Sequence, residues 1–174
     1  EGSKAVDADG KPIVLLHGTA VPGLTEFDTY GAEHGLMGSG TYFTDSLDVA
    51  RGYAEHGAKK ARARGHEPSP NIISAYLSIK NPMDMDAKAN IDSWVKSTEQ
   101  RAHSSISDQV LNELDTLGPG ATNEDALRAV EEGLTIARES AGEANDFIQD
   151  LMRGMGHDGV THIGGGRAGK GPRH

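Results

Sequence analysis

Gly38-Ser39-Gly40-Thr41-Tyr42-Phe43-Thr44-Asp45 decides the reading of this chain, taken with His17-Gly18-Thr19 before it and Tyr53 after it. Thr41-Tyr42-Phe43 predicts a short strand, and Thr44, Asp45 or Ser46 caps a following helix with Leu47, Ala50, Tyr53 and Ala54 on one face. Upstream, the turn residues of Asp7-Ala8-Asp9-Gly10-Lys11-Pro12 lead into Ile13-Val14-Leu15-Leu16. That continuous apolar run predicts a strand buried on both faces, ending at His17-Gly18. One histidine and two tyrosines eleven positions apart thus fall at the edges of regular elements. A lone histidine at a strand end is often a polar cap, and a lone tyrosine on a helix face is more often core. Their combination with Gly18 and Thr19 is what points to a site. Gly18 is read as the position where a ligand lies against the backbone, since it has no Cβ.

The rest of the chain organises around these elements. Residues 20–39 read as a loop, with Phe27 and Tyr30 as packing anchors. Lys59-Lys60-Ala61-Arg62-Ala63-Arg64 suits the negative end of the helix dipole and reads as a solvated face. Residues 71–79 alternate, with Ile73, Ala75, Leu77 and Ile79 on one face and Ser74, Tyr76 and Ser78 on the other, until Asn81-Pro82 stops the strand. Residues 88–154 read as wholly helical: Trp94/Val95, Val110/Leu114, Leu127/Val130/Leu134 and Ile148/Leu151/Met152 follow helical spacing, interrupted at Gly118-Pro119-Gly120. Val160-Thr161-His162-Ile163 predicts a last strand before a Gly-rich, basic tail.

Bulk properties bound the partners. A chain of 174 residues with 36% hydrophobic content is sized for one domain with a real core. The net charge of -9 argues against a generic nucleic-acid-binding surface. Residues 88–154 hold 6 basic and 13 acidic residues, so -7 of that charge lies in the helical block. The absence of cysteine excludes disulfides, a thiolate nucleophile and thiolate zinc sites, and fits a cytoplasmic setting. No apolar run is long enough for a membrane span, and no signal peptide opens the chain. A start at Glu1 rather than Met is read as a segment of a larger polypeptide. His34, His56, His66, His103, His157 and His162 show no metal-ligand spacing, and no metal is assigned.

The Gly40–Tyr53 stretch resembles the tyrosine segment of ADP-ribosyltransferases of the diphtheria toxin and poly(ADP-ribose) polymerase branch, the His-Tyr-Glu type. More narrowly, Asp9-Gly10-Lys11-Pro12, Tyr42-Phe43-Thr44-Asp45, Leu77-Ser78-Ile79-Lys80-Asn81-Pro82 and His157-Asp158-Gly159-Val160 together look like the ADP-ribosyltransferase modules of large polyvalent phage proteins. The resemblance covers residues 5–86 and 155–166 and leaves 88–154 as an acidic helical insertion. It implies an α+β fold, two small packed antiparallel sheets around an NAD cleft in a single domain over residues 1–174. It implies transfer of ADP-ribose from NAD, the co-substrate, to a macromolecular acceptor, protein or nucleic acid, with release of nicotinamide. It also implies a phage or bacterial effector or toxin module, delivered into a host cytoplasm. By the same resemblance His17, Tyr42 and Tyr53 are the catalytic positions. His17 holds the adenosine ribose, the Gly18 backbone holds the nicotinamide amide, Thr19 supports the pocket, and Tyr42 and Tyr53 sandwich the nicotinamide. Gly40 and Thr41 complete the binding segment.

Two departures qualify the match. The family places a Glu or Gln on a late strand, yet no acid follows Asp158 here. Either that strand lies beyond this segment or the module is a degenerate binder of NAD or of a partner. Asp158 itself reads as a turn residue. Ala50 stands where relatives place a serine against the nicotinamide amide. Other classes fit less well. Ile13–Gly18 resembles an α/β-hydrolase strand and oxyanion turn, but no Gly-x-Ser-x-Gly elbow occurs. Gly164–Lys170 has P-loop spacing, but Gly171 replaces the Ser or Thr.

Overall fold

A computed structural model describes residues 2–27, 40–102 and 104–162. Tyr30, His34, Gly38, Ser39, His103, Ile163 and the tail from Gly164 lie outside the described residues. The elements run β1 (Leu15–Thr19), α1 (Leu47–Ala63), β2 (Asn71–Ala75), β3 (Pro82–Asp84), α2 (Ile91–Arg101), α3 (Ser104–Asp115), α4 (Asn123–Ile136), α5 (Ala141–Gly154) and β4 (Gly159–Thr161). Described residues up to 80, with 161–162, form one compact unit, and those from 81 to 160 form a second.

In the first unit β1 pairs antiparallel with β2, Leu15 opposite Ala75 and Thr19 opposite Asn71. The other edge of β1 is tied to Thr44 by a backbone hydrogen-bond pair, Leu16 N–H to the Thr44 carbonyl at 2.7 Å and Thr44 N–H to the Leu16 carbonyl at 2.9 Å. Leu15 is fully buried and shares a core with Ala5 and Phe43, flanked by Ile13, Ala75 and Leu77. The strand is therefore not buried on both faces, as the apolar run led one to expect. It starts two residues later, and Val14 is 46% exposed, because the pleat sends alternate side chains to opposite sides. The alternation expected over 71–79 does hold, with Ile73, Ala75, Leu77 and Ile79 turned inward relative to their neighbours. Regular pairing with β1 stops at Ala75. Beyond it Lys4 N–H donates to the Ile79 carbonyl at 2.6 Å and the Ser3 hydroxyl to the Leu77 carbonyl at 2.5 Å.

Two further expectations near the site change. Thr41–Phe43 is not a strand; only Thr44 makes an isolated bridge. Ser46 is the cap of α1, accepting from Val49 N–H at 3.4 Å. The buried face of α1 is Val49, Ala50, Ala54 and Ala58, while Leu47 and Tyr53 are exposed. Small residues four apart let the helix lie directly on β1, which pushes the bulky ones to the flank.

The second unit carries the four helices expected between 88 and 154, with the break at Gly118-Pro119-Gly120 separating α3 from α4. Its core holds Trp94, Val110, Leu114, Leu127, Val130, Leu134, Ile148 and Leu151. Gly133 of α4 permits a close crossing with α3, since a Cβ there would lie 2.6 Å from the Val110 Cα. β3 and β4 pair as a second small sheet. β3, three residues opening on Pro82, was not anticipated from sequence.

Capping boxes open α4 and α5. Thr122 and Asp125 exchange hydrogen bonds, as do Ser140 and Glu143. The Thr122 backbone and hydroxyl hold the Asp125 carboxyl below its ordinary value, and the Ser140 hydroxyl and backbone do the same for Glu143. A depressed carboxyl contributes stability above its unfolded pKa and loses it as pH falls through the folded one. Thr122→Ala should therefore cost about 1 kcal/mol at neutral pH. The gap between variant and parent should narrow below about pH 4 as the carboxyls protonate. Urea unfolding followed by circular dichroism at the two pH values measures both.

Candidate functional site

His17 lies in β1, on the same side as Leu15 two residues earlier, which brings its ring to the edge of the core. Its Nδ1 is 2.8 Å from the Tyr42 carbonyl oxygen. A carbonyl only accepts, so Nδ1 carries the hydrogen of this bond, and in the neutral ring the lone pair is left on Nε2. The imidazole is also packed by rings: Phe27 at 5.2 Å between centroids, nearly perpendicular, and Phe43 at 5.6 Å, tilted by 49°. Phe27, expected only as a loop anchor, is a neighbour of the site that no motif singled out; Phe43 follows Tyr42 in the motif but was given no role there.

Gly18 faces the other side of the sheet, toward α1. A Cβ built on it would lie 1.8 Å from the Ala50 carbonyl oxygen and 2.9 Å from the Ala54 nitrogen. The absent side chain is thus required by the helix, and the space read from sequence as room for a ligand is filled by α1 backbone. This also places Ala50 in the structure: it is fully buried against the strand. Thr19 ends β1, and its hydroxyl accepts from Val21 N–H at 3.1 Å, forming a local turn.

Of the remaining positions, Thr41 and Tyr42 are half-buried and Gly40 has open space where a Cβ would point. Tyr42 joins the site through its carbonyl. Tyr53 is 51% exposed on α1, one turn from Ala50, so it is not the core residue that a tyrosine on a helix face usually is. The structure therefore joins His17 to Tyr42 directly and sets Gly18 beneath the helix that carries Tyr53. Asp158 belongs to the second unit. Its Oδ1 accepts from Asn81 N–H at 2.9 Å, the turn role read from sequence. Among the described residues no cluster of three or more His, Cys, Asp or Glu side chains is arranged to hold a metal ion. Among them, too, no helix is long and apolar enough to cross a membrane.

The family model for the ADP-ribosyltransferase in polyvalent proteins matches residues 7–160. The chain belongs to that family. The matched span takes in every site residue named above and all four helices of the second unit. Membership points to ADP-ribose transfer, with NAD as the co-substrate of the family's reaction. The mixed architecture of five helices and two small sheets among the described residues is consistent with such a domain. No curated protein and no solved structure matches the chain significantly.

Glycine substitutions separate the two roles within this ADP-ribosyltransferase segment. Gly18→Ala should destabilise the fold by roughly 1–3 kcal/mol, because backbone rather than a flexible side chain must give way. Gly40→Ala should be close to neutral in the same denaturant titration, having no neighbour within 4 Å among the described residues.

Proposed function

We propose that residues 1–174 hold NAD against the face presented by His17, Tyr42 and Tyr53, in the manner of the His-Tyr-Glu transferases, for transfer of ADP-ribose to a macromolecular acceptor. The observation that carries this is the 2.8 Å contact from His17 Nδ1 to the Tyr42 carbonyl, which ties the first motif to the second. It leaves Nε2 as an acceptor suited to a ribose hydroxyl. Tyr53 adds a half-exposed aromatic surface on the adjoining helix, the kind of group on which a pyridinium ring stacks. Thr19, Gly40 and Thr41 line the approach, with backbone rather than bulk. The acceptor is a protein or nucleic acid, and the setting we favour is an effector module of a larger phage or bacterial polypeptide, acting in a cytoplasm. Residues 88–154 serve in this reading as an accessory to the NAD-binding unit.

Breaking the nicotinamide–ribose bond develops positive charge on the ribose, which a carboxylate stabilises; the acceptor nucleophile then forms the new bond to that carbon. No acid follows Asp158 in residues 1–174, and the Asp158 carboxylate is engaged by Asn81. The engagement of Asp158 in its turn favours a second reading, a module that binds NAD without turning it over. The two are separated by activity: a transferase completed by a carboxylate from outside this segment becomes active when that segment is joined to it, and a binder does not.

Tyr53→Ala should weaken NAD binding by roughly 1–3 kcal/mol, the range for loss of an aromatic stacking platform, and leave the fold intact because the ring is exposed. Tyr42→Ala should weaken it similarly while keeping the carbonyl that orients His17. Calorimetric titration measures both; no binding by the parent at millimolar NAD, or unchanged affinity in both variants, overturns the assignment. In the transferase reading, nicotinamide release should be on the order of 100- to 1000-fold faster when a carboxylate is supplied at the ribose than by residues 1–174 alone.

A further inference from the structure

Three contacts hold the His17 ring, and they differ in kind. The hydrogen bond to the Tyr42 carbonyl sets which nitrogen carries the hydrogen only while the ring is held in line with it, and one bond does not hold the ring there. Phe43 packs from below; it is 7% exposed and belongs to the core with Leu15 and Ala5. Phe27 comes from outside the regular elements and keeps 39% of its surface exposed. Yet its ring is set 5.2 Å from His17 at 85° and 5.2 Å from Phe43 at 68°. The three rings close on one another, and perpendicular contacts of this kind are directional. A half-exposed phenylalanine would gain as much apolar contact from several orientations. This one stands edge-to-face with His17.

We propose that Phe27 is a positioning residue for His17: braced on Phe43, it holds the imidazole plane so that Nε2 is presented to the dinucleotide, and so governs how tightly NAD is bound. The inference rests on the assignment of His17 as an NAD-holding residue. It goes beyond that assignment by giving a task to a side chain outside the His-Gly-Thr and Tyr-Phe segments. Phe43 cannot be tested in the same way, because removing it opens the core.

The test compares Phe27→Ala and Phe27→Tyr with the parent in the full 174-residue chain. Three measurements are made: denaturant unfolding, nitrogen-15 NMR of the His17 ring without ligand, and NAD titration. Phe27→Ala should fold like the parent, shift His17 from the Nδ1–H tautomer to a mixture, and bind NAD roughly 2- to 10-fold more weakly. Phe27→Tyr, which keeps the ring, should restore both readouts. A folded Phe27→Ala protein with an unchanged tautomer, or with parental NAD affinity, overturns the proposal. If the alanine variant does not fold, Phe27→Leu keeps the apolar bulk without an aromatic edge and carries the same comparison. If the parent does not bind NAD, the function proposed above falls. The NMR comparison then still decides whether Phe27 holds the ring, a mixed tautomer supporting it and an unchanged one overturning it.

Discussion

The pair of backbone hydrogen bonds between Leu16 and Thr44 is the constraint on which the site depends. His17 follows Leu16 and Tyr42-Phe43 precede Thr44, so this one bridge sets both sides of the site in register. It brings the Tyr42 carbonyl to Nδ1 and turns Phe43 down beside Leu15. It also starts the next helix: the Thr44 hydroxyl accepts from Ser46 N–H at 3.1 Å, and Ser46 caps α1. A full strand over Thr41–Phe43 would have spent the Tyr42 carbonyl on a ladder bond. The isolated bridge leaves it for the histidine.

Below that bridge the first unit is built on a close approach of backbones. α1 sits on β1 with alanines and one glycine between them, and this single geometric demand explains several features at once. It selects Ala50, Ala54 and Ala58 for the buried face, leaves Tyr53 outside, and makes the motif glycine a structural requirement of the strand–helix contact. A residue that a ligand-centred reading assigns to binding thus has a sufficient cause in packing. Ligand contact through the Gly18 backbone would be additional to it.

The residues proposed to carry the chemistry were picked out by motif spacing: His17-Gly18-Thr19, Tyr42 and Tyr53 follow in order, and the family match spans them all. The helices of residues 88–154 were legible from apolar periodicity; the capping boxes of Thr122 with Asp125 and Ser140 with Glu143 emerged only with the structure. What was not legible depends on contacts between distant segments. The apolar run Ile13–Leu16 contains nothing to say that Val14 would face outward, and Leu47 and Tyr53 obey helical spacing as well as Val49 and Ala58 do. The choice between those stripes is made by how near β1 comes. β3 is three residues long and begins with proline, too little for any pattern to register. Phe27 sits in a loop, where neither period nor cap marks a residue that meets a site ring.

Asn81 has a consequence of its own. Its backbone N–H is taken by the Asp158 carboxylate, its side-chain amide donates to the Gly156 carbonyl at 2.9 Å, and its carbonyl meets His157 Nδ1 at 3.1 Å. The two ends of the helical excursion are therefore knotted to each other at one residue, across 77 positions of sequence. A chain that departs and comes back through the same knot can lengthen, shorten or replace what lies between without altering where its ends are fastened. The second unit is in this sense a closed parenthesis, opened and shut at Asn81.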